Sequence, residues 1–169
     1  DEAKKVFEAT YGSGKSKTGA IAIGRSSLAA AEKSVALGDD AEVVQNDSRN
    51  AFAAGASAKV SGTSPQAVAI GFNARAGESD KVTREGAKRN FTTNAPNATV
   101  VGSGSLVALE NSTAVGYDNI VRAKNAGAFG TKNRIGEWDY EITGADKALA
   151  TPKEGQTGEN SFVVGSNNR

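Results

Sequence analysis

The sequence predicts an all-β chain, a parallel β-solenoid of short rungs, and three observations predict it. A phrase of small or apolar residues closed by glycine keeps returning: AIAIG (20–24), SVALG (34–38), AFAAG (51–55), AVAIG (67–71), ATVVG (98–102), STAVG (112–116), AGAFG (126–130) and SFVVG (161–165). The closing glycines, Gly24, Gly38, Gly55, Gly71, Gly102, Gly116, Gly130 and Gly165, stand 14, 17, 16, 31, 14, 14 and 35 residues apart. A repeat that short is one rung of a solenoid, not a domain. Glycine is abundant, 20 of 169 residues, and aromatic residues make up only 6%, a composition suited to a narrow, closely packed β architecture.

The first strand of the rung is the phrase itself. One residue before the glycine stand Ile23, Leu37, Ala54, Ile70, Val101, Val115, Phe129 and Val164, and three before it Ile21, Val35, Phe52, Val68, Thr99, Thr113, Gly127 and Phe162. Between them lies a column of Ala22, Ala36, Ala53, Ala69, Val100, Ala114, Ala128 and Val163. Successive side chains of a strand point to opposite faces, so one face is mostly large and apolar and the other mostly alanine. A strand apolar on both faces is buried on both, and alanine marks a close approach.

The two residues after each glycine are mostly polar and read as a turn, where glycine supplies backbone freedom. The second strand follows. Three residues after the glycine come Ser27, Ala41, Ala58, Ala74, Ser105, Asn119, Asn133 and Asn168, and five after it Ala29, Val43, Val60, Ala76, Val107, Val121 and Ile135. These share parity and face inward. The position between, Leu28, Glu42, Lys59, Arg75, Leu106, Ile120 and Arg134, points outward, where an apolar stripe is a candidate adhesive feature. Rungs stack in parallel, like column on like column. One small rung cannot cover its doubly apolar strand, so the roll is expected to self-associate.

Composition narrows the function classes. Cysteine, histidine and methionine are absent, so neither disulfides nor thiolate metal sites form, and the commonest general base and zinc ligand are missing. A formal net charge of +1 creates no field to steer the chain to nucleic acid. No apolar run is long enough for a transmembrane helix. No catalytic residue, cofactor or metal site is expected. The run Ala9-Thr10-Tyr11-Gly12-Ser13-Gly14-Lys15-Ser16 has the spelling of a relaxed phosphate loop, but a strand rung follows it where that chemistry needs a helix. The glycosylation sequons at Asn46, Asn90, Asn97 and Asn111 are read as chance in an Asn/Ser/Thr-rich chain.

Repeats fill residues 18–169 after a lead-in at 1–17, with insertions at 77–96 and 136–158. Insertions leave a solenoid as surface loops and often carry binding. The second holds Trp138 and Tyr140, residue types frequent at interfaces, with strand propensity over 137–143 and a turn at Thr143-Gly144-Ala145-Asp146. The basic run Arg122, Lys124, Lys132 and Arg134 has no acid within it. Phe72 and Tyr117 sit on turns. These eight residues are the candidate adhesive surface. Asn119 and Asn133 stack in adjacent rungs, either as an amide ladder or because asparagine favours left-handed backbone.

Ser34-Val35-Ala36-Leu37-Gly38-Asp39-Asp40-Ala41 and Ala67-Val68-Ala69-Ile70-Gly71-Phe72-Asn73-Ala74 resemble the head repeats of trimeric autotransporter adhesins, the YadA-like heads. The resemblance covers about residues 18–76, 97–135 and 159–169. It implies a left-handed parallel β-roll, a homotrimer in which the alanine column is a close-packing face, and a place on a fibre at the surface of a diderm bacterium. It further implies non-catalytic adhesion to host matrix, to a host-cell protein or glycan, or to another bacterium. This segment itself inserts into no membrane; an outer-membrane anchor elsewhere in the fibre is expected. The family's neck motif is missing. The Asn-Ser-Val-Ala-Ile-Gly spelling of its collagen-binding heads is approached only by Asn160-Ser161-Phe162-Val163-Val164-Gly165 and Lys33-Ser34-Val35-Ala36-Leu37-Gly38. The competing expectations are a β-solenoid enzyme acting on polysaccharide and an ice-binding solenoid.

Overall fold

The structure, a computed structural model, describes residues 18–77, 79–84, 87–136, 138–143, 147–152 and 158–169. The lead-in at 1–17, with its phosphate-loop spelling, lies outside them. Each rung but the last contributes two strands: β1 (Ile21–Ile23) and β2 (Leu28–Ala29), β3 (Val35–Leu37) and β4 (Glu42–Val43), β5 (Phe52–Ala54) and β6 (Lys59–Val60), β7 (Val68–Ile70) and β8 (Arg75–Ala76). After β9 (Ser79–Arg84) and β10 (Ala87–Thr92), the rungs resume with β11 (Thr99–Val101) and β12 (Leu106–Val107), β13 (Thr113–Tyr117) and β14 (Ile120–Val121), β15 (Gly127–Thr131) and β16 (Arg134–Ile135). β17 (Trp138–Thr143) and β18 (Lys147–Pro152) precede β19 (Phe162–Ser166). No helix occurs among the described residues.

First strands form an eight-stranded sheet in the order β1-β3-β5-β7-β11-β13-β15-β19, and second strands a seven-stranded sheet in the order β16-β14-β12-β8-β6-β4-β2. Every pairing in both is parallel and like on like: Ala36 pairs with Ala22 and Ala53, Val100 with Ala69 and Ala114. This is the predicted parallel β-solenoid. Its two sheets are the walls of a flat roll.

The alanine column lies inside. Ala36, Ala53, Ala69, Val100, Ala114 and Ala128 are fully buried, and so are Val43, Val60, Ala76, Val107 and Val121 of the second sheet. The two sheets meet through these small side chains, which explains why the column is alanine: the opposite wall of the same rung is what approaches. The expectation that alanine packs chain against chain is thereby overturned. The larger face of the first sheet points away from the core. Ile70 and Val101, in the middle of the roll with rungs on both sides, remain 38% and 37% exposed.

Both corners of the rung use left-handed backbone. Two residues after the phrase glycine, Ser26, Asp40, Ser57, Asn73, Asp118, Lys132 and Asn167 have φ of 52° to 57°. Five residues before it, Lys33, Asn50, Gln66, Asn97, Asn111, Asn125 and Asn160 have φ of 52° to 60°. Asparagine and aspartate tolerate this region best, which accounts for the polar dipeptides. Asn119 and Asn133 are not among these residues, so turn preference does not explain them. The phrase glycines have φ of 117° to 136°. A Cβ on Gly38 would lie 2.7 Å from the carbonyl oxygen of Gly55 in the next rung. The glycine is therefore required twice, by its own dihedral and by the stacking distance.

The two insertions are hairpins. β9 and β10 pair antiparallel from Ser79–Thr92 to Arg84–Ala87, and β17 and β18 from Trp138–Pro152 to Thr143–Lys147. β10 meets β18 at Asn90 and Lys147, giving a four-stranded sheet in the order β17-β18-β10-β9.

Candidate functional site

The interior polar groups hold the rungs to one another. Asn119 is fully buried; its Nδ2 donates to Val115 O at 3.0 Å and Gly130 O at 2.8 Å, and its Oδ1 accepts from Asn133 N–H at 3.0 Å. Asn133 repeats the pattern with Phe129 O at 3.1 Å, Gly165 O at 2.8 Å and Asn168 N–H at 3.1 Å. The amide ladder is thus the explanation for these residues. It also reshapes the corner. Where the third position is alanine, the phrase-glycine carbonyl closes a turn, as Gly55 O does with Ala58 N–H. With Asn119 and Asn133 bonding the glycine carbonyls of the rungs that follow them, β13 and β15 run on through Gly116 and Gly130, which pair directly.

Buried serines act similarly. Ser112 Oγ donates to Ala123 O at 2.7 Å and accepts from Ala126 N–H at 3.1 Å. Ser48 Oγ donates to Gly62 O at 2.8 Å and accepts from Ser64 N–H at 3.0 Å. Each hydroxyl satisfies a donor and an acceptor that the narrow core would otherwise leave unpaired. A second amide ladder runs along an exposed corner: Asn97 Nδ2 donates to Asn111 Oδ1 at 3.0 Å, and Asn111 Nδ2 to Asn125 Oδ1 at 3.2 Å. Two of the sequon asparagines are therefore ladder members at left-handed corners.

The outer surface carries three candidate features. The first is the outward face of the eight-stranded sheet, with Ile21, Ile23, Ile70, Val101, Phe162 and Val164 exposed. Within it, Gly127 lacks the side chain of its column because a Cβ there would sit 2.7 Å from the Phe162 ring and 3.1 Å from Phe129. Glycine here makes room for two aromatics. The second feature, the expected apolar stripe on the seven-stranded sheet, does not exist as a continuous surface. Leu28 is exposed, but Leu106 is 1% exposed and Ile120 half-buried. Beside them Lys59 pairs with Glu42 at 2.6 Å.

The third feature is the basic run. The rung geometry divides it between two corners: Lys132 occupies the left-handed position after Gly130, whereas Lys124 sits beside the opposite corner at Asn125. Lys124 Nζ lies 2.9 Å from Glu110 Oε1 of the preceding rung, and this hydrogen bond raises the ammonium pKa. The run thus lacks an acid only along the sequence; the stack supplies one. Arg134, on β16, and Arg122, just past the end of β14, are half-buried between the corners. A comparable rung-to-rung pair joins Arg25 Nε and Nη2 to the Asp39 carboxylate at 2.8 and 2.7 Å. That bidentate contact lowers the Asp39 pKa and raises that of Arg25.

Phe72 and Tyr117 are exposed in a single corner column. Trp138 and Tyr140 fall on β17, and their side chains lie outside those described. Among the described residues no group of three or more acidic, cysteine or histidine side chains converges, and no helix is long and apolar enough to cross a membrane. Sequence reading missed the exposed amide ladder and the ion pairs, although both follow from comparing positions one rung apart.

The YadA head domain repeat matches in two copies, at residues 16–41 and 94–119. No curated protein matches the chain. The first copy spans the phrases ending at Gly24 and Gly38, the second those ending at Gly102 and Gly116. The two repeat copies and the parallel β-solenoid on which they lie together match a YadA-like head domain.

Proposed function

We propose that this chain is the adhesive head of a homotrimeric bacterial surface fibre. The family supports an adhesin-type role. The observation that carries the trimer is the outward face of the eight-stranded sheet. A roll whose own core is closed by alanine and valine leaves Ile70 and Val101 to water in its middle rungs, and an apolar face continuous along a rigid sheet marks an interaction surface. A second and a third copy cover it with the same residues, and the left-handed coil and threefold follow the resemblance to YadA-like heads.

In this reading the head is non-catalytic, binds no cofactor and is carried on a fibre anchored in the outer membrane. Its partners are host matrix, a host-cell protein or glycan, or another bacterial cell. The mechanism is multivalency. Three equivalent outer surfaces per head and many heads per cell raise avidity far above the affinity of one site. The candidate contact residues are Phe72 and Tyr117 on the corner, Arg122, Lys132 and Arg134 on the neighbouring rungs, Lys124 in its pair with Glu110, and Trp138 and Tyr140 of the second hairpin. Beads coated with the purified chain test the reading against arrays of matrix proteins, glycans and whole cells. Adherence above uncoated beads supports it; beads that adhere to nothing refute it. Parallel deletion of 136–158 decides whether Trp138 and Tyr140 contribute.

A further inference from the structure

Phe72 and Tyr117 occupy the same column, the first residue after the phrase glycine, and are 63% and 53% exposed. One rung separates them, because β7 pairs with β11 and β11 with β13. Two strand spacings place the rings about 10 Å apart. The intervening rung presents Ser103 and Gly104 at that corner. Gly104 has φ 68°, and a Cβ there would meet nothing nearer than Asp118 Cα at 3.9 Å. Two aromatic side chains thus flank a low gap floored by the small Ser103 side chain and the backbone of Gly104.

The platform is rigid. Gly104 N–H donates to Phe72 O at 2.9 Å, Asp118 N–H to Ser103 O at 2.9 Å and Lys132 N–H to Tyr117 O at 2.8 Å. Its surroundings are polar: Asn73 is exposed next to Phe72, and Asp118 is half-buried next to Tyr117. A protein partner anchored by two aromatics asks for a continuous desolvated patch around them, which Asn73, Ser103 and Asp118 do not offer. A sugar chain asks for the opposite arrangement, flat π faces for its C–H faces and polar groups at their edges for its hydroxyls.

We propose that Phe72 and Tyr117, with Ser103 and Gly104 between them, form a stacking platform for an extended β-1,4-linked polysaccharide. In such a chain alternate sugars present the same face, and their repeat is close to two strand spacings. One sugar stacks on Phe72, the next bridges the gap over Ser103 and Gly104, and the third stacks on Tyr117. The Asn73 amide and the Asp118 carboxylate take hydroxyl contacts. The inference rests on the adhesive reading and names a ligand class for it.

Retention of the purified full chain on insoluble cellulose and chitin tests the platform, with amylose, an α-linked and coiled polymer, as the control. The wild type is retained on the β-linked polymers and not on amylose. Phe72→Ala and Tyr117→Ala each lower retention about fivefold, the double variant abolishes it, and Arg25→Ala in the same column leaves it unchanged. The proposal is overturned if the wild type is not retained or if the double variant binds as well as the wild type. It is equally overturned if the double variant changes the mass of the oligomer, since the rings would then be subunit contacts. The adhesion arrays separate the two readings. Double-variant beads that adhere like wild type remove the platform and leave the adhesive head; wild-type beads that adhere to nothing remove the adhesive head itself.

Discussion

The Asn133 side chain joins two rungs at once: its amide donates to Gly165 O at 2.8 Å, and its carbonyl oxygen accepts from Asn168 N–H at 3.1 Å. Asn119 stands in the same relation to Gly130 and Asn133. Both side chains are fully buried. Asn119→Ala therefore strands a carbonyl and an N–H inside the roll. Leaving buried groups unsatisfied costs about 1–3 kcal/mol, and urea unfolding at fixed chain concentration measures it. A loss too small to resolve would mean the ladder contributes nothing.

A phrase glycine and a turn glycine separate dihedral strain from steric exclusion. At Gly55, φ is 124° and a Cβ would lie 2.6 Å from Gly71 O. At Gly104, φ is 68° and the surroundings are open. Gly104→Ala is expected to cost about 1–2 kcal/mol, the strain of left-handed backbone alone. Gly55→Ala carries a backbone clash in addition and is expected to lower the unfolding midpoint by clearly more. Equal midpoints for the two variants would contradict the tight stacking of the corner.

Leu106 and Leu28 share a column but not an environment, at 1% and 42% exposure. Leu106→Ala is expected to destabilise the fold by about 2–5 kcal/mol, as core truncations do, whereas Leu28→Ala costs a small fraction of that. The same denaturation series reads both. Similar losses at the two positions would restore the exposed apolar stripe that the structure removes.

The Arg25–Asp39 pair sets a modest acid dependence. The Arg25 hydrogen bond holds the Asp39 pKa below its ordinary value. The pair's contribution is therefore complete above the unfolded-state pKa of an aspartate and disappears as pH falls through the lowered folded value. Melting temperatures of the wild type and Asp39→Asn should differ slightly at pH 7 and converge in acid. The difference at pH 7 should also shrink in high salt, since both side chains are largely exposed. A gap that widens toward low pH would contradict this sign.

Much of the scaffold was legible because a solenoid repeats each environment in every rung. The columns at three and five residues after the glycine predicted the inward face of the second sheet, and the fourteen-residue spacing predicted the register. The orientation of the first strand was not legible. Its two faces are both apolar, so alanine at Ala36, Ala53 and Ala69 marked a close approach without saying whether the neighbour was the opposite wall or another chain. Reading Arg122, Lys124, Lys132 and Arg134 along the chain likewise hid Glu110, which is a neighbour of Lys124 only in the stack. The burial of Leu106 and the meeting of Asn90 with Lys147 depend on tertiary placement, and no local pattern encodes them. The proposed contact surface follows no column rule, because Phe72 and Tyr117 depart from a column that is otherwise small, polar or charged.

The most direct test of the head assembly is the mass of the purified chain by multi-angle light scattering, together with that of Val101→Lys, which places a charge on the outward face of the eight-stranded sheet. The wild type is expected to elute as three chains of 17.2 kDa each, and the variant to shift toward single chains. A wild type that remains a folded 17.2 kDa monomer across the concentration range would contradict the assembly.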